Sequence, residues 1–526
     1  MKKAKYIGLI LFLAGLGIFT VLPFIGTYSL KDSQFKEWVE EKGIKSELFL
    51  EALDKEVVGQ RFSGMHNLSP IIAAALEKAN STHRKNKEYK KVIYTKAHDI
   101  SADLGKKAGT GFIAENKGLM WWLTFGLGIV GALLFILPNV ILLGQKGIKN
   151  NGIYHANATN RGWIAWLVFF YLIAFYLLLY FRPQYAVNWT YLVDPISESL
   201  SGNPAGHWFV YGFMYCTVMT VMGVRMYIKY RHNRYQMIRT TSVLFFQIVF
   251  AFLIPEIMVR LQMPYYDFKN AFPLDYDFFF QWNLRSLINS GGIGIFILVW
   301  GTVLTLIIVP VMVYFFGKRW YCSWVCGCGG LAETLGDPYR QHSSKTLLSW
   351  RVERWLIHGV LVFAVGMTLM TLYSFFSETG TVLGIKTSSV QNTYSLLIGS
   401  IFAGVIGTGF YPIFGNRVWC RFGCPLAAYL GFVQRFKSRF RITTNGGQCI
   451  SCGNCSTYCE QGIDVRAYAQ KGENIIRSSC VGCGICSAVC PRGVLKLENG
   501  PEKGRINPTQ VLLGNDVDLM HLVNDK

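Results

Sequence analysis

Long apolar runs alternate with short basic loops along this chain, and a cysteine-rich polar segment follows the last of them. Lys2, Lys3 and Lys5 precede the first run, Tyr6 to Gly26, which is long enough to cross a bilayer as a helix. No small-residue cleavage signature follows it, so residues 1–26 are expected to stay as a membrane anchor helix. Seven further runs, near 119–144, 162–181, 207–229, 241–262, 290–316, 356–376 and 393–414, are long enough to span as well. Trp121, Trp122, Trp163, Trp208, Trp320, Trp355 and Trp419 stand near their ends, as an interfacial belt requires. The pattern predicts a polytopic α-helical membrane protein of about eight spans, with a seven-helix membrane domain over 119–425.

The intervening polar stretches predict further elements. Residues 27–118 are charge-mixed and cysteine-free, with helical periodicity from Asp32 to Glu41 and from Pro70 to Ala79, which predicts a mainly helical extracytoplasmic domain. Ala108-Gly109-Thr110 lacks the Ser-Gly-Ala-Thr pattern of covalent flavin attachment and is read as a loop. After Cys424, Leu426, Leu430, Phe436 and Phe440 stand among Arg435, Lys437, Arg439 and Arg441, predicting an interfacial linker helix over 426–445. Residues 499–526 read as a polar tail.

Composition sharpens this picture. Charged residues make up 16% of the chain, against about 25% in a soluble protein. The net charge of +21 comes without a nucleic-acid-binding motif, and its distribution points to membrane orientation instead. Lys146, Lys149, Arg161, Arg225, Lys229, Arg231, Lys318, Arg319, Arg340, Arg417, Arg421 and Arg435 belong to one set of loops. The opposite loops hold only Arg182, Arg260, Lys269, Arg285 and Lys386, mixed with Asp194, Glu198, Asp267, Asp275, Asp277 and Glu378. The positive-inside rule puts the first set, and the cysteine-rich segment beyond it, in the cytoplasm of a bacterial inner membrane. Nothing in the spans reads as a broken helix or a midplane charge, which counts against a transporter.

Of 14 cysteines, eight form two runs: Cys449, Cys452, Cys455, Cys459 and Cys480, Cys483, Cys486, Cys490. Each is C-x2-C-x2-C-x3-C, the spacing that sets three thiolates around one iron–sulfur cube and sends the fourth elsewhere. Gly453, Gly482 and Gly484 supply tight turns without a Cβ. Zinc would leave the third and fourth cysteine of each run unused, and disulfides suit an oxidising compartment. The segment resembles a two-cluster bacterial ferredoxin, which implies an α+β domain over 446–498 with two [4Fe–4S] clusters. By that resemblance one cluster takes Cys449, Cys452, Cys455 and Cys490, and the other Cys480, Cys483, Cys486 and Cys459. The family's proline follows Cys490 but not Cys459, where Glu460 stands.

Two more cysteine pairs follow spans directly. Gly317-Lys-Arg-Trp-Tyr-Cys322-x3-Cys326 and Gly415-Asn-Arg-Val-Trp-Cys420-x3-Cys424 form an internal repeat. Cysteines at i and i+4 share one helix face, so symmetric packing would bring four thiolates together at the cytoplasmic mouth of the bundle. The pairs are then a metal or redox-active dithiol site, or else small packing residues. Cys328 is a fifth candidate with no assigned role, and Cys216 reads as a buried apolar residue. Glu256, one turn before Arg260, is either a functional membrane carboxylate or a snorkelling ion pair, while His207 and His358 read as structural.

Over residues 290–495 the chain resembles the membrane-bound polyferredoxin group of NapH-, NosR- and CcoG-like proteins, with spans, paired Cys-x3-Cys-Pro motifs and a two-cluster module. Cys326-Gly327 departs from Cys-Pro, and the cysteine-free outer domain departs from a flavin domain. The resemblance implies electron transfer between a cytoplasmic donor and a membrane-level site, then to quinone or a respiratory or periplasmic partner. The alternative is a maturation factor for a respiratory enzyme that acts as a copper reductase, with the paired cysteines as its working site.

Overall fold

The computed structural model describes residues 2–142, 160–445 and 448–499. Lys146, Lys149 and nearly all of the expected tail lie outside the described residues. Eight helices are long and apolar enough to cross a membrane: Lys3–Phe24, Lys117–Pro138, Trp163–Phe181, His207–Lys229, Arg234–Arg260, Gly292–Phe316, Leu347–Phe376 and Thr387–Gly409. They are spans one to eight below. The protein is a multi-pass membrane protein with a C-terminal iron–sulfur dicluster region built on small sheets.

The chain divides into two compact units. The first comprises residues 1–139 and 174–217. Spans one and two cross through small residues: a Cβ at Gly8 would lie 2.6 Å from the backbone nitrogen of Phe135, so only glycine allows this approach. Beyond span one, strand Thr27–Ser29 pairs antiparallel with Arg61–Ser63 and Gly109–Thr110. Helices Asp32–Lys42, Glu47–Glu56, Met65–Lys85 and Ala97–Ala108 bury Trp38, Phe49, Leu53, Ile72 and Leu104 around it. Buried Asp194 receives Lys106 at 2.7 Å and Lys117 at 2.8 Å.

The second unit comprises residues 140–173 and 218–526. Its main core gathers side chains from spans six to eight and from the segments after spans six and eight, including Val313, Ile357, Ala364, Ile398, Leu426 and Leu430. Strands Phe440–Thr443 and Lys496–Asn499 pair antiparallel, Phe440 opposite Asn499 and Thr443 opposite Lys496. They close a module that holds the short helices Asn454–Thr457, Val465–Lys471 and Ile485–Ala488.

Three features differ from expectation. The helix after Cys424 runs from Pro425 to Lys437 only, because Phe440 begins a strand of the module and its ring is buried there. Leu426, Ala427, Ala428 and Leu430 face the protein core, while Phe432 and Phe436 are exposed. Second, each Cys-x3-Cys pair straddles a break between two helical turns. Third, the loop after span five folds back against span six and buries Lys269, paired with the half-buried Asp267, so a buried charge does lie beside the spans: Phe272 N donates to Thr305 Oγ1, midway along span six, at 3.0 Å.

Candidate metal centre

The dicluster module contains two cysteine-lined cavities. Cys449, Cys452, Cys455 and Cys490 line one. Cys459, Cys480, Cys483 and Cys486 line the other. Each run thus sends its fourth cysteine to the other cavity. The local reason is the pair of left-handed glycines, Gly453 at φ +81° and Gly484 at φ +76°, which start the helical turns bearing Cys455 and Cys486. A Cβ at Gly484 would meet the Tyr235 ring at 2.7 Å.

The donor set discriminates between metal groups. Four thiolates around one zinc ion, at about 2.3 Å each, stand roughly 3.8 Å apart. Among the described residues, no three of these thiols fall within 4.8 Å of one another. The cavities are therefore too wide for a single ion and fit a larger iron–sulfur group with one thiolate per corner. Burial pushes the Cys455 thiol up to about 12 and the Cys480 thiol up to about 11, so bound metal would be what holds them as thiolates.

The second cavity is anchored to the membrane-side segments by its own backbone. Gln434 Nε2 donates to Cys480 O at 2.7 Å, Ser323 Oγ to Val481 O at 2.8 Å and Tyr235 Oη to Gly482 O at 2.8 Å. Gln236 Nε2 and Arg239 Nη1 both donate to Cys483 O at 2.9 Å. Four successive carbonyls are thereby satisfied by side chains outside the module, which fixes this loop in orientation. The first cavity instead faces outward, with Ile450, Cys452 and Arg492 exposed.

Cys322, Cys326, Cys420 and Cys424 all lie in the main core, with Cys328 packed against them. Cys322 sits on helix Arg319–Trp324, whereas Cys326 is extended and caps the next helix, Gly327–Glu333. Cys420 sits in a π-helical turn, Trp419–Gly423, and extended Cys424 caps Pro425–Lys437, its Sγ accepting from Ala427 N at 3.4 Å. The two halves thus share one device: a cysteine in a turn, then a cysteine at a helix N-terminus. Cys326 is lowered to about 6 by a hydrogen bond from Cys328, against the effect of burial and with help from Gly329 N–H. Burial pushes Cys322 up to about 12.

Between this cluster and the second cavity lies a buried charge network. Glu333 binds Arg239 at 2.6 Å, Arg417 at 2.6 Å and Arg340, while Glu460 binds Arg417 at 2.9 Å and Arg340. Burial opposes ionisation of Glu333, but the three guanidiniums outweigh it and hold the carboxyl well below its usual range. Arg417 Nη1 also donates to Cys420 Sγ at 3.6 Å and Cys322 O at 3.2 Å. Glu333, Glu460 and Cys483 form the one group of three ligand-type atoms within 4.8 Å among the described residues, but the arginines already neutralise the carboxylates. Glu460, where a proline would follow the cysteine in a ferredoxin, is therefore a buried counter-ion. Sequence reading missed Glu333, Arg340 and Arg417 in this role. Glu256 on span five and His207 and His358 at span ends line neither cavity.

Two family models match parts of this chain. Residues 298–346 and 396–443 each match the 4Fe-4S binding domain, and residues 441–491 match the 4Fe-4S dicluster domain. Among curated relatives, the "Putative electron transport protein YccM" of Escherichia coli is 28% identical over 169 residues, covering 28% of this chain and 43% of the relative. The methylamine utilization ferredoxin-type protein MauN of Paracoccus denitrificans is 28% identical over 174 residues, covering 31% of this chain and 56% of the relative. The uncharacterized protein MJ0749 of Methanocaldococcus jannaschii is 26% identical over 164 residues, covering 31% and 60%. The chain thus spans about half the length of these relatives, and no solved structure matches it. With both paired-cysteine segments and the dicluster segment joined to eight apolar helices, the chain is a membrane polyferredoxin homologous to YccM and the MauN ferredoxin-type proteins.

Proposed function

We propose that this chain carries electrons between a cytoplasmic donor and a membrane-level site at the paired cysteines, and on to a quinone or a respiratory partner. Two [4Fe–4S] clusters, when bound, supply one-electron redox chemistry. In this reading Cys449, Cys452, Cys455 and Cys490 hold one and Cys459, Cys480, Cys483 and Cys486 the other, in line with the two cavities. Cys322, Cys326, Cys420 and Cys424 are the membrane-level redox or metal site. The excess of Lys and Arg in loops on the dicluster side supports a cytoplasmic module.

One observation carries the reading. Arg417 bonds both Glu460, which follows Cys459 in the chain, and Cys420 Sγ, so a single side chain joins the second cavity to the paired cysteines. The residues themselves position and insulate. Carbonyl clamps hold the second cavity's loop, the guanidiniums balance buried charge, and apolar side chains around the cysteines exclude water. The outward-facing first cavity suits the donor's approach.

The test is reoxidation of dithionite-reduced, purified protein. A quinone analogue should reoxidise the wild type, and Cys322→Ser should lose that reaction while retaining its iron. Reoxidation by Cu(II) alone would move the reading to metal reduction.

A further inference from the structure

The two cysteine runs build matching loops with opposite surroundings. Ile450 and Ser451 lie between Cys449 and Cys452, as Val481 and Gly482 lie between Cys480 and Cys483. The residue before the second cysteine is left-handed in both, Ser451 at φ +57° and Gly482 at φ +58°. In the second loop Val481 is 1% exposed and packs into the main core, and side chains of the membrane-side segments bind the loop's carbonyls. A Cβ at Gly482 would lie 2.5 Å from the Arg319 Cβ, so this loop docks too closely to carry a side chain there. In the first loop Ile450 is 54% exposed, and Ser451 and Cys452 are exposed with it. No side chain among the described residues binds its matching carbonyls.

The exposed loop is held in shape rather than left loose. Serine rarely adopts left-handed backbone, and here Gln470 Nε2 donates to Ser451 Oγ at 2.7 Å, tying the loop to helix Val465–Lys471. Arg466, on that helix, and Arg492, two residues beyond Cys490, line the first cavity beside Ile450 and Pro491, and all four are exposed. No carboxylate among the described residues lines this cavity. The exposed charges of the module are Arg466, Lys471, Arg492 and Lys496 against Glu473 alone among the described residues, so its open side is positive. Cys452 is the one exposed cysteine of the chain. An apolar centre within a charged rim is the anatomy of a protein-docking face, and the sign of this rim complements an acidic partner.

We propose that the loop Ile450–Cys452, rimmed by Arg466 and Arg492, is the docking face for a soluble one-electron carrier protein that presents an acidic surface around an apolar centre. The inference rests on the proposed function, whose electron donor it characterises. The second loop buries Val481 against the chain's own segments, and the same loop shape lets Ile450 bury against a partner and sets Cys452 at the contact. One electron leaves the reduced carrier, which is oxidised, and enters at the first cavity, whose bound iron is reduced. No bond forms or breaks, and no proton moves. Anionic lipid also attracts arginine, but a lipid-binding patch gathers about four to eight Lys or Arg side chains, whereas the two arginines Arg466 and Arg492 line this cavity.

Binding of an oxidised, acidic plant-type ferredoxin to the iron-loaded full chain, in nanodiscs of zwitterionic lipid, tests the face without any electron moving. The wild type should bind it, more weakly as salt rises. Arg466→Glu, Arg492→Glu and Ile450→Asp should each raise the dissociation constant about tenfold and keep their iron. Arg231→Glu, the same charge change at an exposed residue that lines neither cavity, should leave the constant near the wild-type value. No binding by the wild type, an unchanged constant in all three variants, or equal weakening by Arg231→Glu overturns the docking face. Phosphatidylserine vesicles that displace the ferredoxin and fail to bind Arg466→Glu would assign the face to lipid and overturn it as well. Should the Glu variants lose iron, Arg466→Gln and Arg492→Gln must still raise the constant, and an unchanged one contradicts the proposal. Quinone reoxidation of dithionite-reduced protein reports on the proposed function separately. If that reaction fails while the ferredoxin binds at this loop, the function falls and the face stands; if it succeeds while binding maps elsewhere, the face alone falls.

Discussion

Arg417 and Cys420, three residues apart, form the junction of this protein: Arg417 Nη1 donates to Cys420 Sγ at 3.6 Å while its Nε donates to Glu460 at 2.9 Å. A lysine cannot hold these partners together, because it lacks the planar fork of donors. Arg417→Lys should therefore destabilise the protein, by about 3–5 kcal/mol if the buried pairs are fully broken. Reoxidation of reduced protein should slow while iron content is retained. Thermal unfolding in detergent and stopped-flow absorbance check the two effects separately.

Crossed ligation has a chemical signature. Anaerobic protein should hold about eight irons in the C-terminal module. Cys459→Ser should damage the group shared with Cys480, Cys483 and Cys486, and Cys490→Ser the other. Iron analysis with electron paramagnetic resonance of the reduced protein distinguishes the two losses, and equal loss of both signals from either variant would remove the crossed assignment.

Asp337 predicts a pH dependence. Burial alone would raise its pKa, but Lys229, Arg225 and Arg340 outweigh burial and hold it well below 3.8. A carboxyl lowered on folding stabilises the native state fully above its unfolded pKa, and that contribution is lost as pH falls from about 4 toward the folded value. Unfolding measured between neutral and acid pH should therefore show wild type and Asp337→Asn converging in acid, with the variant less stable near neutrality.

Topology follows from the loop charges. A reporter fused after Asn499 should be cytoplasmic, and one inserted within residues 27–118 should be external. A reversed pair of signals would invert the assignment of sides.

The features legible in the sequence were local ones. Span lengths, the x2-x2-x3 cysteine spacing and the left-handed turns at Gly453 and Gly484 each depend on a few adjacent residues. The helix break within each cysteine pair was half legible: Pro425 suits the first position of a new helix, but no proline follows Cys326. The charge network was not legible, because Glu333 and Arg417 are 84 residues apart and no local spacing links them. Likewise the segment after span five reads as an ordinary polar loop, since Asp267 and Lys269 look the same in sequence whether they face water or the bundle.

The central claim is that the paired cysteines accept electrons from the dicluster module as one shared site. It is tested most directly by single-turnover reoxidation with a quinone analogue in wild type, Cys322→Ser, Cys420→Ser and the double variant. Residues acting as a unit are non-additive. Each single variant should abolish reoxidation, the double variant should match either single, and all three should keep wild-type iron content. Wild-type reoxidation rates in the single variants would contradict it, leaving these cysteines as packing residues.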